Sequence, residues 1–518
     1  MNPRLRLMHE ALLARAGNPA FRDKPAVIVE GQPHTYGELL DKAQRLSAVI
    51  GERVQRGDRV AIYMDNSWFC VVSIYAAWLA GAVILLINPQ TKRDKLGFIL
   101  DDSGARILMS DGHIAKEFVP LPGSNSSFVS VICSGDFPSG HSIDCLEHLI
   151  RDTAPRSTLP TTIALDLAAL IYTSGSTGQP KGVMQTHQSM LFASGSLIEY
   201  LRLDHDDVIL CVLPLAFDYG LYQLLMSVQL GATLVLERSF TYPAQVFERM
   251  QAFKVTVFPG VPTIFAMLLS AHRREAFRFE GITRVTNTAA ALSDAVATRL
   301  RSIFPNALLY KMYGLTECKR VSYLEPELVD ARPGSVGKAI PGTEVYLLNA
   351  DGSATPTGET GVLHVRGPHV MLGYWNRPDL SEQMLRPGKL PGERVLCTQD
   401  QFRMDSDGFL YFVGRSDEII KTRGEKVSPV EVENAMLTID DIREVSVVAV
   451  DDELLGQAIR AYVVLQAGAT LSVGQIRAQC ITRLENFMVP QQIILCADLP
   501  KTPNGKISKT ALLAQMSS

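Results

Sequence analysis

The densest chemistry in the chain lies between Ile171 and Gly182, Ile-Tyr-Thr-Ser-Gly-Ser-Thr-Gly-Gln-Pro-Lys-Gly. Five hydroxyl side chains, three glycines and one lysine share these twelve positions. Glycines let a loop turn successive backbone N–H groups one way, hydroxyls add donors, and lysine adds a charge. Together they can cradle a polyphosphate. The spacing is not that of the Walker loop, which ends in Gly-Lys-Ser/Thr and runs straight into a helix. Here Lys181 is followed by Gly182 and by strand-like Val183-Met184. Further candidates are Glu317, Asp400, Arg415 and Lys506, which taken singly read as surface charges. Tyr313 suits a core position as well as a ring-stacking one, and Arg415 with Asp417 could form a surface ion pair. Cys318 invites a nucleophilic role, but no histidine stands near it in sequence, so a buried apolar thiol is expected.

These groups need a large scaffold. The chain has 518 residues, beyond what one hydrophobic core usually serves, so more than one domain is expected. A hydrophobic content of 47% with 20% charged residues is that of a globular protein. A net charge of −4 argues against a nucleic-acid-coating role. The eight cysteines are dispersed without a CxxC pair, which points away from a zinc site and towards a reducing compartment. The N-terminus lacks the uninterrupted apolar stretch of a signal peptide. The apolar run Trp68 to Ile87 has the length of a bilayer span, but Gly81 divides it into an Ala-rich helical half and a β-branched half. It reads as a buried helix feeding a buried parallel strand, and the cytoplasm is the expected location.

Between Asp58 and Asp111, and again from Ala168 to Leu309, apolar strand-like runs alternate with helical ones, the pattern of βα layers. From Gly334 the strands shorten and are separated by Asp351-Gly352 and Asp407-Gly408, dipeptides suited to tight hairpins. After Gly414-Arg415 comes a compact α+β stretch. It opens on Ser428 as a helix cap, Pro429 at the first helical position and Glu431 as the capping-box acid. The expected fold is α/β: a large N-terminal domain of βα layers plus a small β unit, residues 1–414, then a small mobile α+β C-terminal domain, residues 415–518.

The segment YTSGSTGQPKG resembles the signature loop of the AMP-forming adenylating enzymes: acyl-CoA synthetases, firefly-luciferase-like proteins and peptide-synthetase adenylation domains. Tyr313-Gly-Leu-Thr-Glu317, Thr398-Gln399-Asp400, Gly414-Arg-Ser-Asp-Glu-Ile-Ile-Lys421 with Gly424-Glu425, and Pro503-Asn-Gly-Lys506 resemble its further motifs, in the family's order, over roughly residues 25 to 512. One departure is Gln399, where the family usually has glycine; it adds a side chain beside the expected ribose site. The resemblance implies that a carboxylate attacks the α-phosphate of ATP, giving an acyl-adenylate and pyrophosphate, and that a thiol then displaces AMP. Lys506 would bridge the carboxylate and the α-phosphate, Glu317 would ligate Mg²⁺, and Thr316 would touch phosphate. Tyr313 would pack on adenine, and Asp400 with Arg415 would hold the ribose. Thr173, Ser174, Gly175, Ser176, Thr177, Gly178 and Lys181 would hold the β- and γ-phosphates. The C-terminal domain would turn about Asp417, near Lys421, bringing Gly424 to the thiol channel.

The acid pocket is expected to begin at Phe217-Asp218, with Asn287, Thr288 and Ala289 forming another wall. Phe217-Asp218 resembles the pair whose aspartate holds the ammonium group in amino-acid-adenylating relatives. The following Tyr219-Gly220-Leu221 looks more like acyl-CoA synthetases, where Asp218 would be a polar wall or a helix cap. No carrier domain follows Ser518, so the thiol is expected in trans, from coenzyme A or the phosphopantetheine of a separate acyl or peptidyl carrier protein. Other readings are an amino-acid-adenylating ligase, a luciferase-like oxygenase and a non-catalytic nucleotide-binding scaffold; a kinase would yield ADP rather than AMP.

Overall fold

The computed structural model describes residues 5–514 apart from 124–127, 138–141, 175–179, 289–291, 416–417, 423–424, 453–455, 485 and 503–505. Three sheets organise the described residues. The first runs in the order Ile143–Cys145, Ser130–Ser134, Ile107–Asp111, Arg59–Tyr63, Val83–Leu86, Leu167–Ser174, Pro180–Thr186, parallel throughout except for the last strand. The second has a parallel half, Pro25–Val29, Thr233–Leu236, Val208–Cys211, Val257–Gly260, Arg284–Asn287 and Leu308–Tyr313. It then continues antiparallel through Ser322–Leu324, Ser335–Ala339, Leu410–Arg415, Arg394–Met404, Thr360–Arg366 and Glu344–Leu348. The hairpin-rich β unit is therefore an extension of the parallel sheet, hinged on Leu308–Tyr313.

The stretch Trp68 to Ile87 divides as its residues require. Ser67 caps the helix Trp68–Leu79 by accepting from Cys70 N, and the strand Val83–Leu86 lies fully buried between parallel neighbours. Between them Gly81 sits at φ +78°, where an L side chain is strained and a Cβ would approach Pro160 to 2.8 Å. Among the described residues no helix is long and apolar enough to cross a membrane.

The third sheet pairs Glu425–Val427, Ile420–Thr422, Gly456–Leu465 and Ile442–Asp452, with Gln492–Leu495 alongside. Ser428 caps the helix Pro429–Leu437 as its type and spacing predict, accepting from Glu431 N at 3.2 Å. Ile420, Val427, Val432, Met436, Val447, Ile459 and Ile476 belong to an apolar cluster separate from the cores of the other two sheets.

Candidate active site

Parallel sheets expose their functional loops beyond the carboxyl ends of the strands, and here a cleft of about 1120 Å³ opens there. Leu86–Asn88, Ile171–Thr173, Leu213–Pro214, Ala216–Gly220, Val261, Asn287–Thr288 and Tyr313–Glu317 enter it, each at or just past the end of a parallel strand. The opposite wall comes from Thr398–Asp400, Arg415, Glu418, Val430, Asn434, Thr502, Lys506 and Ser508. The cleft thus collects Thr173, Lys181, Phe217, Asp218, Asn287, Thr288, Tyr313, Thr316, Glu317, Asp400, Arg415 and Lys506, whose sequence separations run to hundreds of residues. Gly175, Ser176, Thr177, Gly178, Ala289, Asp417 and Gly424 lie outside the described residues, as do the side chains of Ser174 and Lys421.

The glycine-rich loop is the tip of an antiparallel hairpin: Leu167–Ser174 pairs with Pro180–Thr186, and Thr173 faces Lys181 in the register. Lys181 therefore projects from a strand. Its ammonium donates to Tyr374 Oη at 2.8 Å, lies 4.1 Å from that ring's centroid, and stands 3.7 Å from Glu317 Oε1. Tyr374 in turn donates to Glu317 Oε1 at 2.6 Å. Burial lowers the Lys181 pKa, a shift that the charge of Glu317 opposes. Burial raises that of the Tyr374 hydroxyl, and Glu317 raises it further. Tyr374, 2% exposed, carries no motif signal in the sequence; only the fold brings it between the lysine and the glutamate.

The segment Gly314 to Arg320 is a tight reversal. Leu315 O accepts from the N–H groups of Cys318 and Lys319, and Tyr313 O from that of Val321. A Cβ on Gly314 would stand 2.2 Å from Lys319 O, so only glycine fits. The carbonyl of Thr316 accepts from Gln185 at 3.3 Å and from Lys319 Nζ at 3.2 Å. Cys318 is fully buried and its thiol pKa is pushed up by that burial, as expected of a packing residue.

Tyr313 serves both readings of it. Its ring packs on Phe402 at 4.7 Å and lines the cleft, while its hydroxyl donates to Asp400 Oδ2 at 2.5 Å. Burial raises the Asp400 pKa; the Tyr313 hydrogen bond and Arg415 work against it. Asp400 Oδ1 is buried, has no hydrogen bond among the described residues and lies 3.9 Å from Arg415 Nε, an acceptor suited to ligand hydroxyls. Next to it Gln399 takes φ +61°, the left-handed conformation that glycine adopts freely. Lys506 is exposed to the cavity yet surrounded at longer range by protein. That crowding lowers its pKa, with Asp400 and Glu317 acting to raise it.

Asp218 begins the helix Asp218–Leu230 and lies on the cleft wall. Its Oδ1 accepts from Lys319 Nζ at 2.9 Å, and the lysine side chain is only 1% exposed. The protein itself thus supplies a cation to this carboxylate. Lys319 belongs to no recognised motif; its only mark in the sequence is that two basic residues stand between apolar Cys318 and Val321.

The fold and cleft define a nucleotide- and acid-binding enzyme of two unequal parts. Residues 15–375 match the family described as AMP-binding enzyme, and residues 431–506 match the AMP-binding enzyme C-terminal domain. The chain belongs to this AMP-binding enzyme family. It is 28% identical to a long-chain-fatty-acid–CoA ligase of Bacillus subtilis strain 168, over 96% of this chain and 92% of that protein. It is 29% identical to tyrocidine synthase 1 of Brevibacillus parabrevis, over 95% of this chain and 44% of that one. Among solved structures, o-succinylbenzoate coenzyme A synthetase from Bacillus subtilis, in complex with ATP and magnesium ion, superposes with a TM-score of 0.83 at 28% identity, covering 97% of this chain and 99% of that one. A benzoate CoA ligase from Burkholderia xenovorans LB400 gives a TM-score of 0.87 at 27% identity, covering 98% and 100%.

Proposed function

We propose that this protein is an acid–thiol ligase: it activates a carboxylic acid with ATP as the acyl-adenylate, releasing pyrophosphate, and passes the acyl group to coenzyme A. One observation carries this reading. Lys506, from the C-terminal part, enters the same cleft as Thr316, Glu317 and Asp400 and lies in the electrostatic field of the two carboxylates. Attack of a carboxylate on the α-phosphate brings anions together, so the cleft must supply cations and donors out of bulk water. Lys506 would bridge the two reacting groups, while Thr173, Lys181 and Thr316 would hold phosphate oxygens. Asp400, with its unsatisfied oxygen, would accept the ribose hydroxyls beside Arg415. Glu317 would hold magnesium: it offers a buried carboxylate whose Oε2 has no hydrogen bond among the described residues. When bound, magnesium supplies charge neutralisation at the phosphates.

Residues 1–414 and 415–518 would move as two units about a hinge near Asp417, so that Lys506 serves adenylation in one pose and Gly424 the thiol step in another. Coenzyme A and the phosphopantetheine of a carrier protein present the same arm. The full-length match to a CoA ligase favours coenzyme A, while the tyrocidine synthase match supports a carrier protein as a second acceptor. Eight free thiols, five of them buried, fit a cytoplasmic setting.

The test is acid-dependent ATP–pyrophosphate exchange over a panel of acids, followed by AMP release on adding coenzyme A. Lys506→Ala should cut exchange at least about 100-fold, the loss of one transition-state contact, while sparing thioester formation from preformed acyl-adenylate. Exchange at the wild-type rate in that variant would remove Lys506 from the mechanism.

A further inference from the structure

The acid end of the cleft is charged. Lys319 and Arg320 are 1% and 5% exposed, and both line the cavity with Asp218. Asp218 is committed to Lys319. Arg320 donates through Nη1 to Lys319 O at 2.7 Å and lies over the Tyr219 ring at 4.9 Å. Among the described residues its buried Nε has no hydrogen-bond partner and no carboxylate lies within ion-pair distance of it. A guanidinium taken out of water without a counter-charge is costly unless something else neutralises it. Thr288, 2% exposed on the same cavity, has an Oγ1 that also lacks a hydrogen-bond partner among the described residues. Tyr219, which would otherwise compete, is satisfied: its hydroxyl donates to Thr286 O at 2.7 Å.

Around Asp218 the wall thus offers two buried cations, Lys319 and Arg320, against one carboxylate, plus the Thr288 hydroxyl, while Lys311 on the same cavity is paired with Asp294. Lys506 and Lys181 serve the reacting carboxylate and the phosphates in the proposed function, and Lys181 pairs with Glu317 while Lys319 pairs with Asp218. We infer that the pocket selects a short acid bearing a second anionic group, most simply a second carboxylate, which Arg320 reads as a fork-shaped donor with Thr288 beside it. This rests on the acid-activating reading above and names its substrate class. Leu213, Phe217, Val261 and Leu292 leave apolar surface on the same cavity, but an alkyl chain laid against the charged wall would cover Arg320 and the Asp218–Lys319 pair without supplying a hydrogen bond. A neutral amino acid fares no better: Lys319 already fills the position an ammonium group would take on Asp218 Oδ1.

The experiment is pyrophosphate exchange by the full-length protein with length-matched pairs of mono- and dicarboxylic acids, the latter with and without an amino group. Long-chain fatty acids and neutral α-amino acids complete the panel. Dicarboxylic acids should give the higher kcat/KM. Arg320→Gln should raise KM for them about 10- to 100-fold, the loss of one charged hydrogen-bond donor, with KM for ATP and the rate with the matched monoacid little changed. A role in packing alone would move all three together. Wild-type preference for monocarboxylic, fatty or neutral amino acids overturns the inference whether or not the variant folds, and leaves the ligase reading standing. Exchange with no acid in the panel overturns both.

Discussion

Breaking the Asp218–Lys319 pair from either side should give unequal costs. The charges lie 2.9 Å apart, a gross attraction of about 6 kcal/mol at an effective dielectric near 20. Desolvation cancels much of this, so the intact pair adds little net stability, while unpairing one partner of a buried pair costs about 3–5 kcal/mol. Lys319 is 1% exposed and Asp218 12% with a face on the cavity. Water can therefore rescue an orphaned Asp218 but not an orphaned Lys319. Lys319→Met should cost about 3 kcal/mol, and Asp218→Leu should cost more, towards 5 kcal/mol. The double variant should recover a large part of either loss, since two apolar side chains leave no buried charge. Lys319 sits at φ +66°, and methionine meets the same backbone strain, so that term cancels. The assay is chemical denaturation of all four proteins in a double-mutant cycle. Additive losses, or a costlier Lys319→Met, would refute the assignment of this pair as a buried, mutually dependent unit.

Three other outcomes follow from the geometry. Tyr374→Phe removes the hydroxyl that joins Lys181 to Glu317; it should lower stability by about 1.5–3 kcal/mol and weaken ATP binding, measured by melting with and without nucleotide. An unchanged nucleotide-dependent shift would exclude the tyrosine from the site. Gln399→Gly relieves a left-handed backbone at a small entropic cost, so denaturation should show a change between zero and about 1 kcal/mol in its favour; a clear loss would mean that the glutamine side chain makes contacts that matter. His9 and His187 are buried, and burial pushes their pKa values down to about 4 and about 3. Because the folded values lie below the unfolded value of 6.5, this contribution is complete above pH 6.5 and is lost as pH falls towards 4. At pH 5 each histidine should cost about 2 kcal/mol. A stability flat between pH 7 and 5 would mean that neither is buried neutral.

Local sequence settled more of this protein than its size suggests. Ser67, Gly81 and the β-branched run after it specify a helix, a turn and a buried strand, because capping, φ and side-chain branching act within a few residues. Ser428 and Pro429 fix a helix start for the same reason. The motif residues Thr173, Lys181, Tyr313, Thr316, Glu317, Asp400, Arg415 and Lys506 could be named from their types and neighbours. Their convergence on one cleft is a matter of sheet order, which brings the ends of parallel strands together across long sequence separations. Tertiary structure alone placed Tyr374 between Lys181 and Glu317, and gave Asp218 a cation from within the chain. Both depend on contacts between distant segments, and whether a charge is paired or a hydroxyl enclosed is decided by what packs around it.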